Sequence, residues 1–128
     1  MSETEKKVLV MDDEEIVADI AQQMLMYLGY DAHIVETGEE AVRDYKETFE
    51  AGNPYALVIV DLNIPQGMGG IEAVKKILEI DKNAKVVVSS GYSGDSIMQE
   101  YTQYGFVGSI GKPFDIKGLQ AVIETALQ

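Results

Sequence analysis

The chain has 128 residues, of which 46% are hydrophobic and 25% charged, so it is the size of one globular domain with room for a core. Its net charge of −12 argues against nucleic acid and against anionic membrane surfaces as partners, since both favour basic patches. The sequence contains no cysteine, no apolar run long enough to span a membrane and no signal-peptide pattern at its polar start, and we therefore expect a cytoplasmic protein without disulfides or thiolate metal ligands.

Strand and helix patterns alternate along the chain. Continuous apolar runs, or shorter apolar stretches, predict strands at 7–12, 31–35, 56–61, 85–90 and 106–110. Amphipathic spacing predicts helices at 14–28, 38–50, 70–80, 95–104 and 115–127. Five strands and five helices in strict alternation favour a single α/β domain, in which a parallel sheet is covered by helices on both faces.

Polar side chains follow four of the predicted strands. They are Asp12 and Asp13 after the first strand, Asp61 and Asn63 after the third, Ser90 after the fourth and Lys112 after the fifth. Open parallel sheets bind their ligands beyond the carboxyl ends of the strands. We therefore expect these side chains to share one rim of the sheet.

The three aspartates on this rim need a cation. At an effective dielectric constant of about 20, two like charges about 4 Å apart repel by about 4 kcal/mol. A hard divalent ion suits a set of oxygen ligands, so Asp12, Asp13 and Asp61 predict a site for Mg²⁺, with Mn²⁺ as the alternative ion. Lys112 supplies a further positive charge.

Each of these residues also has an ordinary structural explanation. Asp12 and Asp13 could cap the helix that begins near Glu14. Asp61 could begin a turn, Ser90 could cap a helix or turn, and Lys112 could be solvated. Their convergence on one rim favours the metal site.

Four motifs in order carry a family resemblance: "VMDDE", "VIVDLNIPQGMGG", "VVVSSGYS" and "GKPF". From about Lys7 to Leu127 the chain resembles the receiver domain of two-component response regulators, most of all the receivers of hybrid sensor histidine kinases. The resemblance implies a flavodoxin-like sheet of order 2-1-3-4-5. It also implies that residues 1–128 form a receiver without an output or kinase domain.

The resemblance assigns Asp61 the role of phosphoacceptor, which takes a phosphoryl group from a histidine kinase, a phosphotransfer domain or a small acyl phosphate. Asp13 matches the direct Mg²⁺ ligand, Asp12 matches a neighbour that often acts through water, and Asn63 would offer its backbone carbonyl. Water then hydrolyses the acyl phosphate, so the chain would be a signalling domain that catalyses only its own phosphorylation and dephosphorylation.

Two further roles follow from the resemblance. Ser90 matches the hydroxyl residue that hydrogen-bonds the phosphoryl group, and Lys112 matches the lysine that pairs with the acceptor and then with a phosphoryl oxygen. The Lys112–Pro113 bond is cis in the family. The face of the fourth and fifth helices is the implied surface for a homodimer or a downstream partner.

The sequence departs from the family pattern at two places. Ser109 stands where members commonly carry a switch aromatic, and the loop between Pro65 and Gly70 is one residue longer than the commonest form. Four aromatic residues could replace the switch residue or could simply pack in the core: Tyr92, Tyr101, Tyr104 and Phe106.

Three other functions fit the sequence less well. A Mg²⁺-dependent phosphohydrolase with an aspartyl-phosphate intermediate usually needs a second aspartate where Asn63 stands. A flavin carrier needs a phosphate cradle after the first strand, where "DDEE" would repel phosphate. A pseudo-receiver that acts only as a docking module is disfavoured by the complete acidic set and Lys112.

Overall fold

The computed structural model of the protein describes residues 6–62, 68–91 and 96–127. The strands are β1 (Lys7–Met11), β2 (Asp31–Val35), β3 (Leu57–Asp61), β4 (Val86–Ser90) and β5 (Gly108–Gly111). The helices are α1 (Glu15–Tyr27), α2 (Gly38–Glu50), α3 (Gly70–Ile80), α4 (Ser96–Gln99) and α5 (Ile116–Ala126), with a 3₁₀ turn at Tyr101–Tyr104.

All five strands are parallel and lie in the order β2-β1-β3-β4-β5, which confirms the predicted flavodoxin-like sheet. In the register of the central strands, Met11 lies opposite Val60 and Asp61 lies opposite Ser89. The carboxyl ends of β1, β3 and β4 therefore meet at one rim. Parallel strands need helical crossovers, and these cover both faces of the sheet.

The core has two halves, one on each face of the sheet, because successive residues of a strand point to opposite sides. Leu9, Val58 and Val60 pack with α2 and α3, whereas Val10 and Ile59 pack with α1 and α5. These strand side chains are at most 1% exposed, and each contributes about 1.5–3 kcal/mol through burial. The buried strands β3 and β4 thus give the rim a rigid base.

Local signals set several helix ends. The Thr37 hydroxyl accepts a hydrogen bond from the Glu40 N–H at 3.3 Å and begins α2, and Asp115 accepts one from the Gly118 N–H and begins α5. After α1 the chain turns at Gly29, whose φ of +97° is the left-handed conformation that glycine adopts most easily.

The segment predicted as one helix at 95–104 is divided in the structure. The backbone of Glu100 (φ −111°, ψ 34°) leaves the helical region, so α4 ends at Gln99 and a 3₁₀ turn follows. That turn closes at Gly105, which has a φ of +97°. The other predicted bounds agree with the structure to within about two residues, the usual uncertainty of element ends.

Candidate functional site

Three carboxylates meet at the carboxyl rim, as predicted. One oxygen from each of Asp12, Asp13 and Asp61 lies within 4.8 Å of the other two. Asp12 and Asp61 are 2% and 3% exposed, whereas Asp13 is exposed. An all-oxygen set with one solvent-facing member fits Mg²⁺, which binds one or two carboxylates and keeps several waters.

Lys112 offsets part of the negative charge of the two buried carboxylates. Its Nζ lies 2.7 Å from Asp12 Oδ2 and 3.1 Å from Asp61 Oδ2, and its side chain is 10% exposed. Burial lowers the pKa of Lys112, but the hydrogen bond to Asp12 and the charges of Asp61 and Asp12 outweigh it, so the pKa lies above the ordinary 10.5. The lysine therefore remains charged between the two carboxylates.

Asp12 does not cap α1, because the N-cap residue of that helix is Glu14 and the Asp12 carboxylate binds the N–H of Glu14 itself. Asp12 Oδ1 accepts a hydrogen bond from the Glu14 N–H at 2.9 Å, just before α1, while Oδ2 binds Lys112. The Asp12 N–H donates to the Val35 carbonyl at 2.9 Å. The end of β2 thus holds the Asp12 backbone, and the two oxygens of its carboxylate have different partners.

The end of β4 links the loops that carry Asp61 and Lys112. The Leu62 N–H donates to the Ser89 carbonyl at 2.8 Å, and the Lys112 N–H donates to the Ser90 carbonyl at 3.0 Å. Ser90 is fully buried beside this junction. The Lys112–Pro113 bond is cis, as the resemblance implied. Two adjacent residues of β4 therefore fix the backbone next to Asp61 and at Lys112.

The start of α2 holds the segment that leads into α3, beginning at Met68. The Gly38 N–H donates to the Met68 carbonyl at 2.9 Å, and the Met68 N–H donates to Glu39 Oε1 at 3.0 Å. Gly70 then packs so closely that a Cβ there would lie 2.9 Å from the Asp61 carbonyl oxygen. Sequence patterns gave no signal for Gly38 or Glu39, because their partner is distant along the chain.

Other predicted residues have mixed outcomes. Asn63, Tyr92 and the first two residues of the lengthened loop, Gln66 and Gly67, lie outside the described residues. Ser109 is half-buried on β5 and lines, with Tyr101, a groove of about 290 Å³ against α5. Phe106 is buried in the core.

The sequence prediction missed Glu14, whose Oε1 lies 3.4 Å from Lys112 Nζ, although "DDEE" placed it next to the site.

A comparison with known protein families identifies the family of this chain. The family model described as the response regulator receiver domain matches residues 8–124. The chain belongs to the response regulator receiver domain family. The receiver predicted from the four motifs is thereby confirmed.

Relatives and solved structures agree with this assignment. The chain is 36% identical to the chemotaxis protein CheY of Treponema pallidum over 123 residues, which cover 95% of this chain and 83% of the relative. It is 28% identical to the sporulation initiation phosphotransferase F of Bacillus subtilis, over 95% of this chain and 94% of that one. The structure of a CheX–CheY–BeF₃–Mg complex from Borrelia burgdorferi matches with a TM-score of 0.85 and 26% identity, over 96% and 90% of the two chains.

The receiver domain is a phospho-accepting module of two-component signalling, and this chain is such a receiver. Its acidic cluster is compatible with the Mg²⁺ that receiver domains bind. Within the described residues, no helix combines the length and apolar character needed to cross a membrane.

Proposed function

We propose that Asp61 is the phosphoacceptor of this receiver. The observation that carries the proposal is the position of Lys112, whose ammonium contacts both Asp61 and Asp12, two members of the group of three carboxylates. Asp61 is the last residue of a fully buried strand, so its backbone is fixed while its carboxylate faces the rim. A carboxylate held beside a cation in this way is suited to nucleophilic phosphoryl transfer.

The proposed step is an in-line transfer. A carboxylate oxygen of Asp61 attacks the phosphorus of a phosphohistidine, an O–P bond forms, and the P–N bond breaks with its electron pair returning to the imidazole. Lys112 and the hydroxyl of Ser90 then stabilise the phosphoryl oxygens. Water later attacks the phosphorus, releases inorganic phosphate and restores the carboxylate, so the only reactions that the chain catalyses are its own.

Asp12, Asp13, Asp61 and the backbone carbonyl of Asn63 would hold Mg²⁺, or Mn²⁺ in its place. The bound ion supplies charge neutralisation at the phosphoryl oxygens. The grouped carboxylate oxygens support this assignment, as does the related CheY structure that contains both BeF₃ and Mg²⁺.

The phosphodonor would be a histidine kinase or a phosphotransfer domain in the cytoplasm. We place the surface that responds to phosphorylation on α4, β5 and α5, where it would bind a downstream protein or a second copy of the chain. The groove beside Ser109 lies on this face and is lined by Tyr101 and Val122, among others. We take residues 7–127 as the functional core of the receiver.

The test is to incubate the protein with Mg²⁺ and acetyl phosphate and to measure intact mass. Wild type should gain the mass of one phosphoryl group, and chelation of Mg²⁺ should abolish the gain. Asp61→Asn should remain unmodified, while the matched control Asp44→Asn on α2 should behave like wild type. An equal gain in wild type and Asp61→Asn, or none in wild type, would reject the proposal.

A further inference from the structure

A third carboxylate reaches the ammonium of Lys112. Glu14 Oε1 lies 3.4 Å from Lys112 Nζ, beyond the contacts of 2.7 Å with Asp12 and 3.1 Å with Asp61. A lysine ammonium has three N–H donors, which equals the number of carboxylates in contact with it. Asp12 and Asp61 are almost fully buried, whereas the Glu14 side chain is 64% exposed and is the member of the set that faces solvent.

The side chain of Glu14 contacts the site, whereas its backbone carbonyl belongs to α1 and accepts a hydrogen bond from the Ala18 N–H at 2.9 Å. Glu14 is the N-cap residue of α1 with an extended backbone (φ −90°, ψ 108°), yet within the described part of the chain its side chain makes no capping hydrogen bond. Its N–H is bound to Asp12 Oδ1 at 2.9 Å. The backbone of Glu14 is therefore tied to one carboxylate of the site while its side chain extends over Lys112.

The carboxylate of Glu14 disfavours the approach of a phosphoryl group to Asp61. A phosphoryl group that approaches Asp61 brings further negative charge to a cluster in which Asp12, Asp13 and Glu14 already carry negative charge. A phosphoryl oxygen also needs an N–H donor of Lys112, and Glu14 is the exposed carboxylate already in contact with that ammonium, at 3.4 Å. Glu14 thus opposes the incoming group both by repulsion and by competition for the ammonium of Lys112.

We infer that Glu14 is a specificity-determining residue that slows the phosphorylation of Asp61 by small dianionic phosphodonors. A donor carried on a docked protein gains binding energy from the rest of its surface, and it overcomes this repulsion more easily than a free small molecule does. The inference rests on the proposed function, since it concerns the rate at which Asp61 is modified.

The test compares Glu14→Gln with wild type at saturating Mg²⁺ and low ionic strength. The substitution keeps the size of the side chain and removes its charge. Because Glu14 is exposed, the second-order rate constant with acetyl phosphate should rise about twofold to fivefold. Phosphoramidate, which carries less negative charge at neutral pH, should show a smaller rise. High salt should remove the difference between variant and wild type.

Glu79→Gln is the matched control, because it removes the same charge from an exposed position near the end of α3. Its rate constants should equal those of wild type. Equal acceleration by Glu14→Gln and Glu79→Gln, or equal rates for Glu14→Gln and wild type, would overturn the inference. If neither donor modifies wild type, the proposed function fails instead.

A metal-free measurement tests the contact itself. The side-chain NMR signals of the Lys112 methylene next to Nζ should shift in Glu14→Gln and stay in place in Glu79→Gln. Unchanged Lys112 signals in Glu14→Gln would show that the carboxylate does not contact the ammonium in solution, and would also overturn the inference.

Discussion

The Nζ of Lys112 lies 2.7 Å from Asp12 Oδ2, although the strands that precede these two residues are separated by two others in the sheet. Lys112 follows β5 and Asp12 follows β1, with β3 and β4 between them. The long lysine side chain crosses the rim and passes Asp61 on the way, at 3.1 Å. One residue thereby ties the far side of the sheet to the acidic cluster.

Replacement of Lys112 by alanine should therefore destabilise the metal-free protein. The variant leaves Asp12 and Asp61 buried without their cation, and removing one partner from a buried pair costs about 3 kcal/mol or more. Mg²⁺ should recover part of the loss, because it binds the uncompensated carboxylates in the folded state. Urea unfolding with and without Mg²⁺ measures both effects.

Lys117→Ala is the control for this experiment, since Lys117 is an exposed lysine on α5. It should leave the free energy of unfolding nearly unchanged. Equal stability of Lys112→Ala and wild type in the absence of Mg²⁺ would contradict the proposed balance of charges.

Gly38→Ala should disturb the packing of Met68, just before α3. A Cβ at Gly38 would lie 2.5 Å from the Met68 carbonyl oxygen and 2.7 Å from Met68 Cγ, so Met68 must move. Such crowding typically costs about 1–3 kcal/mol. Chemical denaturation measures the loss, and the control is Gly111→Ala, where an added Cβ meets nothing within 4 Å. Equal stability of the two variants would show that Met68 yields without cost.

The hydrogen bond between Glu39 and Met68 should be sensitive to acid. The Met68 N–H lowers the pKa of Glu39 below its ordinary value of 4.5, because it stabilises the charged carboxylate. A lowered pKa means that the contribution to stability is present above the ordinary pKa and is lost as the pH falls through the folded pKa.

In an NMR titration the Met68 amide proton of wild type should therefore shift with a midpoint below pH 4.5. In Glu39→Gln this titration should be absent, while Glu72→Gln, on the exposed face of α3, should retain it. A Met68 midpoint at or above the ordinary value would argue against a carboxylate acceptor at this amide.

Tyr45→Phe should destabilise the protein at neutral pH and much less in alkali. The Tyr45 hydroxyl donates to Asp81 Oδ2 at 2.7 Å and the residue is 1% exposed, so the loss should be about 1 kcal/mol. Burial, together with the hydrogen bond to Asp81 and its charge, raises the pKa of Tyr45 above 10.0. A raised pKa gives stability that is present below pH 10.0 and lost as the pH rises through the folded pKa.

The difference in unfolding free energy between wild type and Tyr45→Phe should thus be constant from pH 7 to 9 and shrink above pH 10, as measured by urea denaturation. Tyr104→Phe, at a ring that is 38% exposed, is the control and should show no such trend. A difference that grows with pH would mean that the hydroxyl ionises more easily when folded.

Much of the fold follows from the sequence because its signals are local. The predicted bounds of β2, α2 and α3 coincide with those in the structure, at 31–35, 38–50 and 70–80. Apolar runs and helical spacing depend only on neighbouring residues, and the rule that ligands bind beyond parallel strands then placed Asp12, Asp61 and Lys112 on one rim. The division of the fourth predicted helix at Glu100 was not predicted, because no glycine or proline marks that position.

The contacts within the site required the tertiary structure. The sequence offered Asp12, Asp13, Glu14 and Glu15 together, and only the fold shows that the first and third of these reach Lys112. Only the fold likewise shows the hydrogen bonds between Met68 and the start of α2. The sequence determined which charges gather at the rim through local periodicity, whereas the partner of each charge depends on distances between residues far apart in the chain, which only packing sets.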